Sequence, residues 1–113
     1  MTMVTIGISP NDETKTRMRR AFDGKPQGAH ISFPSVELLW KVLTPRRWEM
    51  LRVMAGSGPL AIRALARRIG RDVKTVHGDI HALLSAGVVD RTEDGLVVFP
   101  YDAVHVDFVL RAA

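Results

Sequence analysis

Apolar residues recur with helical spacing in four segments between residues 35 and 87, and with strand-like alternation near both ends of the chain. Positions i, i+3, i+4 and i+7 share one face of a helix, whereas alternate positions share one face of a strand. The pattern predicts five strands: Val4–Ser9, His30–Phe33, Val88–Arg91, Leu96–Phe99 and Val104–Leu110. It predicts five helices: over Pro10–Phe22, after Ser35, after Thr44, over Ile62–Ile69 and after Asp72.

Residues with capping and turn chemistry lie at the ends of these segments. Ser35, Thr44-Pro45 and Asp72 precede helical patterns, and their side-chain oxygens can accept hydrogen bonds from free backbone amides. Gly70 follows Ile69 and can end a helix in a left-handed conformation. Asp94-Gly95 separates two β-prone runs, which is typical of a β-hairpin.

The order helix, helix, tight glycine turn, longer helix and hairpin across residues 45–99 indicates a helix-turn-helix followed by a wing. Ala66 is small where the two helices must approach closely. We therefore expect an α+β protein, a winged helix-turn-helix with an N-terminal strand-helix-strand extension and a C-terminal strand. The predicted division is 1–34 as an extension for dimerisation or partner binding, 35–101 as the DNA-binding domain and 102–113 as a C-terminal strand or tail.

The chain has 113 residues, enough for one domain, and 46% of them are hydrophobic. It contains no cysteine, which excludes disulfides and thiolate metal sites. Its beginning lacks the basic region and apolar run of a signal peptide, and no run of about 18 apolar residues occurs. We expect a cytoplasmic protein that does not interact with a membrane.

The net charge of +4 is unevenly distributed. Residues 41–75 contain nine lysines or arginines against Glu49 and Asp72, whereas residues 76–113 contain two arginines against six acids. Such a concentration of positive charge is typical of a surface that binds a polyanion. Ordinary solvation of these arginines is the alternative. Both interpretations stay open for four arginines, each a phosphate contact or a solvated side chain: Arg46, Arg47, Arg67 and Arg68.

The helix after Asp72 has an outer face of small and cationic residues, opposite its apolar stripe. Lys74, Thr75 and Gly78 lie on this face, and His77 and His81 lie at its margin. Glycine inside a helix costs up to about 1 kcal/mol relative to alanine. Close approach to DNA is one reason to keep Gly78, and drift at a tolerant surface position is the other.

The run Leu65-Ala66-Arg67-Arg68-Ile69-Gly70, followed by Thr75-Val76, Leu83 and Gly87-Val88-Val89-Asp90-Arg91, resembles winged helix regulators of the MarR-like type. The resemblance covers residues 45–100 and implies a homodimer that places its second helix in the major groove of double-stranded DNA, with the hairpin near the backbone or minor groove. The predicted DNA-binding residues are Arg67, Arg71, Lys74, Thr75, His77, Gly78, His81 and Arg91. The expected function is a sequence-specific transcriptional repressor.

Several positions depart from that resemblance. The family usually has apolar residues where Arg71 and Asp79 stand, and the wing tip Glu93-Asp94 would repel phosphates.

The N-terminal strand-helix-strand and the stretch 98–102 resemble small prokaryotic regulators encoded beside toxin genes. An antitoxin that neutralises a toxin partner and regulates its own operon is therefore the alternative function. A winged unit that has lost DNA binding and contacts only proteins is a third.

Catalytic chemistry has no support in the sequence. Gly56-Ser57-Gly58 lacks the ending of a phosphate-binding loop, and no nucleophile-base pair or paired carboxylates stand at suggestive spacing. His77 and His81 are four residues apart and could share a metal, but with no third ligand evident they are better explained as histidines at the edge of a groove or on the surface. We expect no enzyme activity, no metal and no cofactor.

Overall fold

The computed structural model describes residues 2–9, 29–110 and 112. These residues form five strands: β1 Met3–Ile8, β2 Ala29–Phe33, β3 Asp90–Arg91, β4 Val97–Val98 and β5 Ala103–Asp107. They also form four helices: α1 Val36–Val42, α2 Pro45–Met54, α3 Ile62–Ile69 and α4 Val73–Ser85. The α+β class is confirmed, and the predicted helix over Pro10–Phe22 lies outside the described residues.

Local capping chemistry fixes where three of the helices begin. The Ser35 hydroxyl accepts from the Leu38 amide at 3.2 Å and caps α1. Thr44 caps α2 in the same way, and Pro45 is the first helical residue. Asp72 caps α4 by accepting from the Thr75 amide at 3.0 Å. Each of these caps agrees with the sequence prediction because a cap depends on residues only three positions apart.

The first and last strands of the chain belong to one three-stranded sheet of order β2-β1-β5. Both pairings are parallel, and Ile6 lies opposite Ile31 on one side and Val106 on the other. The sequence left open whether the two terminal strands pair and whether they do so within one chain. They pair within one chain, and the last strand ends at Asp107 instead of continuing to Leu110.

The parallel pairing of β5 with β1 is supported near both ends of the strands. At the start of the strands, the Thr2 amide donates to a carboxylate oxygen of Asp102 at 3.0 Å, and the Asp102 amide donates to the Thr2 carbonyl at 2.8 Å. Farther along, a Cβ at Gly7 would lie 2.8 Å from the backbone oxygen of Asp107. Glycine at this position therefore allows the two strands to approach closely.

The predicted hairpin forms, but its strands are shorter than predicted. Asp90 pairs with Val98 and Arg91 with Val97, in antiparallel register. Val88 continues from the end of α4, since its amide donates to the Leu83 carbonyl at 2.9 Å. Leu60, which no periodic pattern distinguishes, exchanges two backbone hydrogen bonds with Val97 at 2.8 and 2.9 Å and extends the hairpin by one bridge.

Helices, hairpin and sheet share one hydrophobic core. The sheet contributes Val4 and Ile6, both fully buried. The helices and the hairpin contribute the largest group of fully buried side chains, which includes Leu39, Leu43, Met50, Leu51, Met54, Leu65, Val76, Ile80, Leu83 and Phe99. No helix in the described ranges is both long enough and apolar enough to cross a membrane.

Candidate nucleic-acid interface

A tight turn joins α3 to α4. Gly70 adopts φ 79°, and its amide donates to the Ala66 carbonyl at 2.8 Å. The Arg71 amide donates to the same carbonyl at 3.1 Å, so both residues after the helix are tied to its last turn. Ala66 is 2% exposed, which agrees with the small residue expected where the helices meet. The left-handed conformation favours glycine at position 70.

Helix α4 has a buried face and an open face. Val76, Ile80 and Leu83 are completely buried in the core. The open face carries residues from the predicted DNA-binding set, namely Lys74, His77, Gly78 and His81, all of which are exposed. A Cβ at Gly78 would meet no atom within 4 Å, so nothing in the described part of the chain requires a glycine there.

His77 and His81 lie side by side on the open face. Their ring centroids are 4.4 Å apart, and the ring planes are inclined by 53°. Among the described residues, no group of three or more histidine, cysteine or acidic side chains could hold a metal ion. The pair therefore presents two imidazoles to whatever approaches α4, and their N–H groups are hydrogen-bond donors.

An open groove of about 380 Å³ lies between α3 and the beginning of α4. Three arginines, Arg63, Arg67 and Arg71, line it together with Ala66, Asp72 and Val73. Within the ranges that the structure describes, none of the three forms an ion pair. Guanidinium groups present several donors in a fixed plane that matches phosphate oxygens. Three arginines outnumber the single acid, Asp72, whose carboxylate accepts hydrogen bonds from Thr75, so the lining favours an anion with more than one oxygen.

Thr75, also in the predicted set, is largely engaged by its own helix. It is half-buried, and its hydroxyl lies 2.6 Å from the Asp72 carboxylate. These hydrogen bonds from the Thr75 hydroxyl and amide hold the pKa of Asp72 below its ordinary value. Because the threonine hydrogen is directed to Asp72, the Thr75 oxygen is left as an acceptor and has no hydrogen to donate to an anion.

Asp79 lies on the same helix but is buried, with 2% of its side chain exposed. Arg46 approaches it with Nε at 2.8 Å from Oδ2 and with a terminal nitrogen at 3.0 Å from Oδ1. Arg47 donates from Nε to Oδ1 at 3.0 Å and from a terminal nitrogen to the Val42 carbonyl at 2.9 Å. Arg46 Nε and Asp79 Oδ2 form an ion pair, but their geometry does not meet the angles of a hydrogen bond. Asp79 thus ties α4 to the beginning of α2.

The electrostatic balance at Asp79 favours the ionised carboxyl. Burial alone would raise its pKa, but hydrogen bonds and charge from Arg46 and Arg47 outweigh burial, and the pKa of Asp79 lies below its ordinary value. The same contacts raise the pKa of Arg46. Both arginines are therefore bound by Asp79 and are not simply solvated, although the side chain of Arg46 is 45% exposed.

Asp79 was missed as a structural residue, although a signal was present. It follows Val76 by three positions and precedes Leu83 by four, so it belongs to the buried face of α4. A charged residue on a buried face needs a partner of opposite charge. The sequence signals that a partner is needed but does not identify Arg46 and Arg47, which lie more than 30 residues away.

The remaining predicted contact, Arg91, lies on a different element. It is exposed on β3 and does not line the arginine groove. Glu93 and Asp94 are also exposed in the turn between β3 and β4. The turn is closed by the Thr92 amide, which donates to the Leu96 carbonyl at 2.9 Å. The hairpin tip is therefore acidic, and its one exposed cation precedes the turn.

Fold and site together define a small α+β protein with an exposed helix face, which carries Lys74, His77 and His81, beside an open groove lined by arginines. The chain belongs to the HVO_A0114 family, whose model matches residues 42–106, more than half of the chain. The match extends from the end of α1 into β5 and contains every residue of the predicted DNA-binding set. Comparison with curated proteins finds none that matches the chain.

Proposed function

We propose that this protein is a DNA-binding transcriptional regulator with a winged helix-turn-helix of the MarR-like type. In this proposal α3 and α4 are the helix-turn-helix, α4 is the recognition helix, and β3 with β4 is the wing. The observation that carries the proposal is the combination of an uncovered face on α4 with the arginines of the adjacent groove, which form no ion pair among the described residues.

The dimensions of α4 fit this role. Its 13 residues span about 20 Å, and an α-helix enters the major groove of B-DNA, which is about 12 Å wide. Gly78 leaves the middle of the exposed face without a side chain, so base edges could approach the backbone there. His77 and His81 would stand at the edge of the groove as hydrogen-bond donors.

The proposed contacts divide by chemistry. Arg67 and Arg71, together with Arg63, would bind the phosphate backbone beside the entry of α4, and Lys74 would reach a phosphate or base from its first turn. Arg91 would contribute one contact from the wing. Glu93 and Asp94 would repel phosphates, so the wing tip adds little affinity.

The proposal further includes a homodimer that represses transcription by binding two half-sites, as proteins with this architecture do. It requires no cofactor, metal or catalytic residue. It is consistent with a cytoplasmic location. Binding by phosphate contacts makes the affinity fall with salt, with a log–log slope near −0.9 for each phosphate neutralised.

The test is a fluorescence-anisotropy titration of the full chain against duplex DNA at several salt concentrations. Selection of bound fragments from random DNA would first supply the preferred sequence. The double variant Arg71→Ala/Lys74→Ala should bind more weakly, and its salt slope should be shallower by about 0.9 for each phosphate that it no longer neutralises.

A charge-matched control is available on other helices. Lys41→Ala/Arg52→Ala also removes two positive charges, but Lys41 is on α1 and Arg52 pairs with Glu49 on α2 at 3.1 Å. The control should keep the affinity and salt slope of the parent protein. Equal losses in both double variants would indicate nonspecific attraction by net charge, and no DNA binding at low salt would reject the function.

The antitoxin alternative stays a prediction with one structural feature in its favour. The sheet β2-β1-β5 lies outside the proposed DNA-reading unit, and reading DNA does not require it. Co-purification with the product of the adjacent gene would support neutralisation of a partner. A homodimer that binds no such product would count against it.

A further inference from the structure

Strand β5 is an edge of the three-stranded sheet, since no strand in the described ranges lies beyond it. The Ala103 amide donates to the Thr2 carbonyl at 3.1 Å, which sets the phase of its pairing with β1. Peptide groups of successive residues in a strand are directed to opposite sides. The amides and carbonyls of Val104 and Val106 are therefore directed to the outer edge, where they can pair with another strand.

The sequence of this edge is complementary to itself. The five residues centred on Val106 are Val104, His105, Val106, Asp107 and Phe108. Polar and apolar positions are therefore arranged symmetrically about Val106, and the two polar residues are a base and an acid. In an antiparallel pair with a two-fold axis at Val106, residues equally distant from Val106 on its two sides lie opposite one another. His105 then faces the partner's Asp107, and Val104 faces the partner's Phe108.

The phase of the strand agrees with this register. Val106 would face the partner's Val106 as a hydrogen-bonded pair, because its amide and carbonyl are directed outward. His105 and the partner's Asp107 would form the non-hydrogen-bonded pair beside it, in which side chains lie closest. An axis at His105 or at Asp107 would instead place identical polar residues opposite each other. Charge complementarity thus selects the register centred on Val106.

Exposed apolar side chains surround this edge. Val106 is 42% exposed, Trp40 is 53% exposed and contacts Phe108 edge to face with centroids 6.3 Å apart, and Leu110 is 92% exposed. Val109, between them, is 74% exposed. Apolar residues clustered at a sheet edge indicate an association surface when they lie beside unpaired backbone.

We propose that a second copy of this chain binds along β5 in antiparallel orientation, centred on Val106. The two three-stranded sheets then join into a six-stranded sheet with an isologous two-fold interface. The inference goes beyond the proposed function by naming the surface and the register of the dimer. It rests on the homodimer of the proposed function but not on DNA binding, because the dimer requires no DNA.

Sedimentation equilibrium of the full chain without DNA tests the proposal. The parent chain should be a dimer that dissociates on dilution. His105→Glu places two acids opposite each other, and Asp107→Lys places a lysine opposite a histidine. Each should weaken the dimer by roughly twofold to thirtyfold, because two symmetry-related pairs are disrupted. The double variant His105→Glu/Asp107→Lys restores opposite charges across the axis and should recover most of the affinity.

A backbone variant tests the same edge independently. Val106→Pro removes the two central amide donors, and should weaken the dimer at least tenfold, by roughly one hydrogen bond on each side of the axis. It leaves the β1 pairing intact, since the amide of Val106 is directed away from β1. Val106→Thr keeps the shape and the amide and is the matched control.

Three results would overturn the proposal. One is a chain that stays monomeric at every concentration tested, which would also be the result if the β5 edge binds a different protein. Another is a dimer that none of these substitutions weakens. The last is failure of the double variant to recover the affinity that the single variants lose. Each can occur while DNA binding by α4 is intact, and loss of DNA binding would leave the DNA-free dimer measurement unaffected.

Discussion

Two groups of arginines lie on neighbouring parts of the helical unit, and their environments are opposite. Arg46 and Arg47 at the beginning of α2 both bind the buried carboxylate of Asp79. Arg63, Arg67 and Arg71 line an open groove and bind no acid within the described ranges. In the sequence both groups belong to the same basic stretch, so composition alone assigns them one role.

The difference shows that a positive charge becomes available to a ligand only when no internal acid engages it. Arg47 is 19% exposed and donates hydrogen bonds to Asp79 and to the Val42 carbonyl. The groove arginines form no ion pair in the described part of the chain, which leaves their charge for solvent or for an anion. The internal group is therefore expected to govern stability and the groove group to govern binding.

The largest expected effect is the loss of stability in Asp79→Ala. Removing this carboxylate leaves the partly buried guanidinium of Arg47 without its counter-ion and should lower the free energy of unfolding by about 3 kcal/mol. Urea denaturation followed by circular dichroism measures it. Asp94→Ala, an exposed acid at the hairpin turn, is the control and should change stability by less than about 0.5 kcal/mol. Similar losses in both would show that Asp79 does not hold the two helices together.

The next prediction compares the two arginine groups by two measurements, DNA affinity and stability. Under the proposed function, Arg71→Ala should weaken DNA binding of every sequence and make the salt slope shallower by about 0.9, because a phosphate contact is lost. Lys74→Ala should reduce specific binding by roughly 1–3 kcal/mol if Lys74 reads a base, and both variants should change unfolding by little. Arg46→Ala should instead lower stability and leave the salt slope of binding unchanged, measured well below its melting temperature. An exchange of these outcomes would reverse the roles given to the two groups.

A smaller effect is expected from Gly78→Ala. Since a Cβ there meets no atom within 4 Å, alanine should stabilise α4 by up to about 1 kcal/mol. If the open face of α4 contacts DNA closely, the same variant should bind DNA more weakly. Thermal unfolding and anisotropy titration measure the two quantities. A variant that is more stable and binds equally well would show that the glycine is not needed for close approach.

The smallest effect is expected at acid pH. The pKa of Asp79 is lowered in the folded chain, so the carboxyl binds a proton more readily when the chain is unfolded. Its stabilising contribution is complete above its ordinary pKa of 3.8 and is lost as the pH falls through the lower folded value. The urea midpoint should decline as the pH falls below about 4, and less steeply in Asp79→Asn. Equal slopes in both proteins would contradict this assignment.

The site was only partly predictable, and the reasons are physical. Helical winding of α4 predicted the exposure of Lys74, His77 and Gly78, because facing on a regular helix follows from sequence spacing. The hydrogen bond from Thr75 to Asp72 is a local contact that follows from the cap. The sequence prediction did not recognise that this bond prevents the Thr75 hydroxyl from donating to a phosphate. The fates of Arg46 and Arg47 depended on Asp79, more than 30 residues away.

The sequence by itself determined the helices of residues 35–87, their caps at Ser35, Thr44 and Asp72, and the turn at Gly70. These features depend on residues a few positions apart, whose geometry is fixed by backbone sterics and nearby hydrogen bonds. Tertiary structure alone decided that β5 pairs with β1, that Leu60 joins Val97, and that Asp79 holds two arginines. Those contacts join segments distant along the chain, and burial of a shared core selects them.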